Sequence, residues 1–224
     1  MSSKETLTIV YDKNNEYSLS EINQIIKLVN NSQTLKLKKN IIEIVNDDEK
    51  QIHESEATIV YTDGACSSNG KSNAKAGIGI YIEETKQEIS KSVNEVSMEL
   101  LNEPVEKPSN NIAELLAILQ ALNIFQNQIQ NKEKIIIKTD SMYSINSVTK
   151  WYKNWQKNGW KTAQGKDVLN KNIIKKILEY TKLKNVELKY VKAHAEQPEA
   201  KNLFLKKEWF GNMKADQLAK KQTN

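Results

Sequence analysis

The stretch Thr58-Ile59-Val60-Tyr61-Thr62-Asp63-Gly64-Ala65-Cys66 decides how the rest of the chain is interpreted. β-branched and aromatic residues fill its first half, which favours a β-strand. Because strand side chains alternate, Ile59, Tyr61 and Asp63 share one face, so the acid ends a face that is otherwise apolar. Asp63-Gly64 then predicts a turn. An Asp-Gly pair taken alone is typical of a solvated hairpin, so a second observation is needed to predict a site.

A second strand with the same ending provides that observation. Ile135-Ile136-Ile137-Lys138-Thr139-Asp140 is again a β-branched run that closes on an acid. Two carboxylates at the ends of neighbouring strands repel each other unless a positive charge lies between them. A divalent metal ion, which prefers oxygen ligands, is the usual solution. The two strands therefore predict a metal site that includes Asp63 and Asp140.

Length and composition are those of a globular protein of 224 residues, of which 38% are hydrophobic. This length accommodates one domain of about 150 residues and a smaller appendage. The apolar runs are far shorter than the ~20 residues of a membrane span, so we expect no membrane partner. The start, Met1-Ser2-Ser3-Lys4-Glu5, lacks the pattern of a signal or transit peptide. With the single cysteine, Cys66, this predicts an intracellular protein of the cytoplasm or nucleus.

Charge is distributed unevenly along the chain. Residues 1–131 contain 12 Lys and 19 acidic residues, whereas residues 132–192 contain 15 Lys and 5 acidic residues. A basic block within an otherwise acidic chain is typical of a surface that binds a polyanion. A solvated lysine face is the alternative. Aromatic residues within the block, in the stretch from Trp151 to Thr162, favour stacking and phosphate contacts, since Trp151 and Trp155 lie four residues apart on one helical face.

The order of elements divides the chain in two. Residues 1–56 form an N-terminal extension or small module of unknown role, and residues 57–224 form the main domain. In the main domain, residues 94–108 are interpreted as an irregular connection and residues 195–210 as a charged loop. A helix from about Asn110 to Gln130 contains Glu114, beside the small residues Ala113 and Ala117, where an acid is rarely buried unpaired. A closing helix over 212–221 contains Asp216.

Five segments in this order resemble the catalytic domain of type 1 ribonuclease H, of the eukaryotic-like kind. The resemblance covers about residues 57–222. Its segments are Thr62-Asp63-Gly64-Ala65-Cys66-Ser67-Ser68-Asn69-Gly70, Asn110-Asn111-Ile112-Ala113-Glu114, Thr139-Asp140-Ser141-Met142-Tyr143, Trp155-Gln156-Lys157-Asn158-Gly159-Trp160-Lys161-Thr162 and Gly211-Asn212-Met213-Lys214-Ala215-Asp216. Each segment alone is weak, but five in order with compatible spacing are specific.

The resemblance implies an α/β fold with a mixed five-stranded sheet, its first three strands antiparallel, and helices on both faces. It implies that Asp63, Glu114, Asp140 and Asp216 hold two Mg²⁺ ions, for which Mn²⁺ can substitute. The implied reaction is hydrolysis of the RNA strand of an RNA/DNA hybrid by a monomer, leaving 5′-phosphate and 3′-hydroxyl ends. His194 would assist proton transfer or product release as a fifth catalytic residue.

The same resemblance implies the substrate contacts. Asn69, Asn110 and Asn111 would touch RNA 2′-hydroxyls in the minor groove, which distinguishes RNA from DNA. Tyr143, Trp151 and Trp155 would form a channel for the DNA strand. Lys107, Ser109 and Asn170 would form a pocket for one of its phosphates, and Met142 would also contact the nucleic acid.

Two alternatives remain at this stage. One is a related metal nuclease of the same fold, such as a resolvase, an integrase or a reverse-transcriptase-type module, since fold alone does not assign function. The other is a hybrid-binding protein with weak or no catalysis. The four acids argue against the second alternative, because acids held together without a metal are costly.

Overall fold

The computed structural model describes residues 57–69, 71, 73–193, 197 and 203–223. All of these fall within the second of two units of the chain, His53–Asn224. The predicted N-terminal extension, residues 1–56, lies outside the described residues, and so does His194. The predicted domain boundary and the role of His194 therefore stay predictions.

A mixed sheet of five strands in the order β3-β2-β1-β4-β5 forms the centre of the main domain. The pairs β1–β2 and β2–β3 are antiparallel, whereas β1–β4 and β4–β5 are parallel, so the predicted fold class and the antiparallel first three strands are confirmed. The strands are β1 Thr58–Ser67, β2 Lys75–Ile82, β3 Gln87–Ser92, β4 Ile135–Thr139 and β5 Val186–Tyr190.

Helices connect and cover these strands. They are α1 Val93–Leu101, α2 Asn110–Ile124, α3 Gln126–Gln130, α4 Met142–Asn146, a π-helical turn Ser147–Trp151, α5 Tyr152–Lys157, α6 Lys171–Thr181 and α7 Leu203–Lys220. Within the described ranges, no helix has the length and apolarity that crossing a bilayer requires.

Three predictions about these helices were wrong. Residues 94–108 are not wholly irregular, because α1 starts after Ser92, whose side chain accepts a hydrogen bond from the Glu95 backbone N–H. The helix predicted to reach Gln130 ends at Ile124, where Phe125 leaves helical geometry and a short second helix begins. Residues 203–210, predicted as part of a charged loop, are the first two turns of α7.

The two faces of the sheet are covered by different helices. On one face, α2 buries an apolar layer against alternate residues of the strands, among them Val60, Ile78 and Ile137. On the other face, a smaller cluster contains Ile59, Tyr61, Tyr81, Ile136 and Val191, together with Ala215 of α7. The period-two alternation of the sequence thus separates the two layers, as expected for a sheet buried on both sides.

The turn predicted at Asp63-Gly64 does not form. Strand β1 continues to Ser67, and Asp63 pairs with Gly79 of β2. The small residue is needed for a different reason, because a Cβ atom on Gly64 would overlap the backbone nitrogen of Glu114 and the carbonyl carbon of Ala113. Gly64 therefore lets the start of α2 lie directly on the middle of β1.

Candidate metal and nucleic-acid site

Two acids lie where β1 and β4 separate. The parallel pairing of these strands extends to Tyr61 and Lys138. Asp63 and Asp140 each follow two residues later, on the same face as those residues. Asp63 is only 8% exposed, and its Oδ1 accepts a 2.7 Å hydrogen bond from the backbone N–H of Gly64. The register of the central strands therefore places both predicted carboxylates at one edge.

Helix α2 supplies the third acid. Ser109 caps this helix, since its hydroxyl accepts a 3.3 Å hydrogen bond from the backbone N–H of Ile112. The close approach at Gly64 then places Glu114, in the second turn of the helix, beside β1. The Oγ of Ser141 donates a short hydrogen bond to Oε2 of Glu114. Ser141 in turn caps α4 by accepting from the Ser144 backbone N–H at 3.1 Å, so its side chain is held in place.

Helix α7 supplies the fourth acid. This helix lies close to β2 because Gly77 and Gly79 carry no side chain, and a Cβ atom on Gly79 would overlap the carbonyl oxygen of Ala215. Asp216 follows Ala215 and forms an ion pair with Lys220 one turn later, with Nζ 2.7 Å from Oδ1. One turn earlier, Asn212 donates a 3.0 Å hydrogen bond from Nδ2 to Oδ2 of Asp140.

All four carboxylates line one cleft of about 500 Å³. The cleft is also lined by Asn110, at the start of α2, and by Ala193, which directly precedes His194 in the sequence. Residues from both faces and from both halves of the sheet thus meet at a single opening. The four acids, which are far apart in the sequence, therefore lie together in the fold.

Mutual repulsion and burial change the protonation of this cleft. The pKa of Asp63 is raised to about 8, first because the side chain is buried and then because Asp140 lies near it. Asp216 and Glu114 raise it further, while the hydrogen bond from Gly64 opposes the shift. Burial, with a contribution from Asp140, also raises the pKa of Glu114 against the opposing hydrogen bond from Ser141. Burial is the largest cause of both shifts, and the neighbouring carboxylates add to it.

Metal ligation fits the donor set. Among the described residues, no three Asp, Glu, His or Cys side chains are grouped as a preformed metal site. Three of the four acids instead interact with local partners, Glu114 with Ser141, Asp140 with Asn212 and Asp216 with Lys220. Carboxylate oxygens are the ligands that Mg²⁺ and Mn²⁺ prefer, and a divalent ion would offset the repulsion of Asp140, Asp216 and Glu114 that contributes to the raised pKa of Asp63. The residues therefore fit a divalent cation.

A row of four aromatic rings begins at Tyr143, three residues after Asp140. Neighbouring ring centroids are 6.0 Å apart from Tyr143 to Trp151, 5.9 Å from Trp151 to Trp155 and 6.4 Å from Trp155 to Trp160. Trp151 is 40% exposed, whereas Trp155 and Trp160 are partly buried against the core. The ammonium of Lys175 lies 5.0 Å from the centroid of the Trp160 ring. The row therefore has one exposed ring suited to stacking, Trp151, and three half-buried rings that support it.

The predicted phosphate pocket and channel are joined through one hydrogen bond. Asn170 has a left-handed backbone, with φ of 60°, and its Nδ2 donates to the Tyr143 hydroxyl at 3.0 Å. Ser109 is half-buried, and Lys107 is exposed two residues before it. The remaining predicted contact residues are exposed at the surface: Asn69, Asn110, Asn111 and Met142.

Sequence reasoning did not assign a role to three residues that contact the acids. They are Ser141, Asn212 and Lys220. The sequence does indicate that Asn212 and Lys220 lie near Asp216. The three residues are spaced by four and so share one side of a helix. No local pattern indicates that Asn212 meets Asp140, because 72 residues separate them in the chain.

Comparison with known families gives an extensive match. The sequence model of the RNase H family matches residues 55–224. Ribonuclease H1 of Mus musculus is 36% identical over 168 residues, which cover 74% of this chain and 50% of the mouse protein. The chain therefore spans about half the length of this relative. Ribonuclease H of Clostridium botulinum (strain Hall) is 36% identical over 141 residues, which cover 62% of this chain and 84% of the bacterial protein.

A solved structure shows the same arrangement of strands and helices. The solution structure of the PFV RNase H domain superposes with a TM-score of 0.51. The match covers 74% of this chain and 93% of that domain at 23% identity. At this identity the likeness shows that the two chains share a fold.

Proposed function

The chain belongs to the ribonuclease H family as a type 1 catalytic domain, and from this premise we propose that it is an endoribonuclease that hydrolyses the RNA strand of RNA/DNA hybrids. The observation that carries the proposal is the meeting of Asp63, Glu114, Asp140 and Asp216 in one cleft. The products would be fragments with 5′-phosphate and 3′-hydroxyl ends.

The four acids would hold the divalent ions of the reaction, which we take to be two Mg²⁺ with Mn²⁺ as a substitute. When bound, such ions activate the attacking water and stabilise charge on the leaving 3′-oxygen. The protein fixes the ligands, since Ser141 orients Glu114 and Asn212 orients Asp140. Burial of Asp63 keeps bulk water away from its carboxylate and strengthens its interaction with a cation.

Recognition of the hybrid would use surfaces on both sides of the cleft. Asn110 lines the cleft itself, and Asn69 and Asn111 are exposed, so these side chains are available to RNA 2′-hydroxyls. The exposed Trp151 offers a ring to the DNA strand, in a row that begins with Tyr143. Lys107, Ser109 and Asn170 would bind a phosphate, and Met142 would contact the nucleic acid.

His194 would assist proton transfer or product release. Its neighbour in the sequence, Ala193, lines the same cleft as the four acids, which supports a role near the reacting phosphate. We further propose that the protein acts as a monomer, in the cytoplasm or nucleus.

Cleavage assays with three duplexes test this function. Wild type should cleave an RNA/DNA hybrid in Mg²⁺ and leave double-stranded RNA and double-stranded DNA intact, whereas a resolvase-type nuclease would cleave DNA. Asp140→Asn should abolish cleavage and retain hybrid binding, because one ligand is lost and the basic surface is unchanged. Asp167→Asn is the matched control, since Asp167 is an exposed acid, 69% accessible, with no place in the cleft. A silent wild type that binds hybrids would favour a binding protein instead.

A further inference from the structure

A lysine is buried two residues before Asp140, one of the acids of the cleft. Lys138 lies on β4 two residues before Asp140, and so on the same face of the strand, yet its side chain is only 1% exposed. Its Nζ is 2.7 Å from Oε1 of Glu208 and 4.9 Å from the centroid of the Phe204 ring. A buried ammonium is expensive unless it is paired and well coordinated. The buried charge of Lys138 on β4 therefore depends on contacts from the first turns of α7.

Helix α7 meets this strand along a single line of side chains. Phe204, Glu208, Asn212 and Asp216 follow one another at intervals of four and share one side of the helix. The first two contact Lys138, and the third contacts Asp140. The contacts run in the same order along helix and strand. The side of α7 that carries the catalytic Asp216 is therefore also the side that holds Lys138.

The spacings of helix and strand agree along this line. Four helical residues advance by ~6 Å, at about 1.5 Å per residue. Two strand residues advance by ~6.6 Å, at about 3.3 Å per residue. Glu208 and Asn212 can therefore contact Lys138 and Asp140 at the same time. If α7 shifted by one residue, both contacts would break together.

We infer that Lys138 and Glu208 form a positioning pair, which holds α7 in the register that places Asn212 on Asp140 and Asp216 in the cleft. This role rests on the proposed function, because it concerns the geometry of the same acids. Phe204 and Glu208 lie in the segment that the sequence predicts as a charged loop. In the fold, this segment contacts the sheet at Lys138, and Lys207 forms a 3.4 Å ion pair with Glu83, directly after β2.

Two variants test the pair. Glu208→Gln removes the charge and keeps the size of the side chain. Lys138→Met with Glu208→Met replaces both charged groups by apolar ones, an exchange that is often neutral or stabilising for buried pairs. The matched control is Glu88→Gln, because Glu88 also ties α7 to the sheet through a 2.7 Å contact, with Lys214, but at the exposed outer strand.

We expect kcat for hybrid cleavage to fall on the order of 10-fold in both pair variants while KM stays within about twofold, since a displacement below 1 Å at a reacting group is enough. Binding of Mn²⁺ without substrate, measured by calorimetry, should weaken several-fold. Asn212→Ala added to Glu208→Gln should cost less than the two single changes combined, because both act on one contact line. Glu88→Gln should match wild type in kcat, in KM and in Mn²⁺ affinity.

Several outcomes would overturn the positioning role. Wild-type kcat and Mn²⁺ affinity in folded Glu208→Gln would show that the pair does not set the site, as would strict additivity with Asn212→Ala. Loss of folding in both pair variants would make the pair a plain stability element. An inactive wild type that binds Mn²⁺ would contradict the proposed function instead, and the Mn²⁺ affinities of the variants would still decide the positioning role.

Discussion

Asn212 of α7 donates a hydrogen bond from Nδ2 to Oδ2 of Asp140 at the end of β4, over 3.0 Å. Asn212 is only 6% exposed, and Asp216 follows it by one helical turn. The contact therefore orients one acid of the cleft and fixes the helix that carries another. Under the proposed role of Asp140 as a metal ligand, a residue that orients it is expected to account for about 10- to 100-fold in activity or metal affinity.

Replacement of the Asn212 side-chain amide should lower the rate of catalysis. We expect Asn212→Ala to lower kcat on an RNA/DNA hybrid by about 10- to 100-fold with little change in KM, because Asp140 loses its orientation and substrate contacts stay intact. Gln217→Ala, at an exposed position of the same helix, is the control and should keep wild-type kinetics. Steady-state kinetics on a defined hybrid measure both, and an unchanged kcat in Asn212→Ala would show that Asp140 needs no such partner.

The raised pKa of Asp63 predicts how stability depends on pH in the absence of metal. The carboxyl titrates near 3.8 in an unfolded chain and near 8 in the folded protein. Between these values the folded state binds more protons than the unfolded state, so the free energy of unfolding falls as pH rises. The contribution of Asp63 to the free energy of unfolding is fully present below about pH 4 and is lost as pH rises through about 8.

Thermal unfolding in EDTA between pH 4 and 9 checks this dependence. The Tm of wild type should fall relative to that of Asp63→Asn over this range, because the asparagine does not titrate. Added Mg²⁺ should raise the wild-type Tm more at pH 8.5 than at pH 6, since metal binding requires the ionised carboxylate. A Tm difference between the two proteins that is constant with pH would contradict a perturbed Asp63.

The aromatic row predicts different roles for two tryptophans. Trp151 is 40% exposed, so Trp151→Ala should weaken hybrid binding by about 1–3 kcal/mol and leave Tm nearly unchanged. Trp155 packs against the core, so Trp155→Ala should lower Tm as well. Trp151→Phe, which keeps a ring, is the control for stacking. Fluorescence anisotropy with a labelled hybrid and thermal unfolding separate the two effects, and a large fall in Tm for Trp151→Ala would place that ring in the core.

The strands, and the nearness of Asp63 to Asp140, could be predicted from the sequence because they depend on local pattern. β-branched residues in Thr58–Thr62 and Ile135–Thr139 favour strands, and each segment is followed directly by an acid. Parallel pairing of the two runs then brings Asp63 and Asp140 together. Glu114 and Asp216 could be assigned by resemblance, since each lies in a segment similar to its counterpart in the family.

Other features depend on contacts that no local pattern contains. Residues 203–210 are rich in charge and look like a loop, but Glu208 finds a buried partner in Lys138, 70 residues away in the chain. The Asp63-Gly64 pair is typical of turns, but here the glycine makes room for a helix. In both cases tertiary packing overrides the local preference, and Gly64 and Lys138 each lie within two residues of an acid of the cleft.

Gly64 offers the most direct test of how the fold builds the cleft. A Cβ atom at this position would overlap the backbone of Ala113 and Glu114, which are rigid parts of α2 and cannot rotate away. Gly64→Ala should therefore push α2 from β1, at a cost of about 1–3 kcal/mol in stability, as for other overpacked sites. Because Glu114 moves with the helix, the gain in Tm on adding Mg²⁺ should shrink and kcat should fall. Gly165→Ala is the stability control, since a Cβ there meets no atom within 4 Å and the cost comes only from its φ of 76°. If Gly64→Ala matches wild type in Tm and in its response to Mg²⁺, the close approach of α2 is not what positions Glu114.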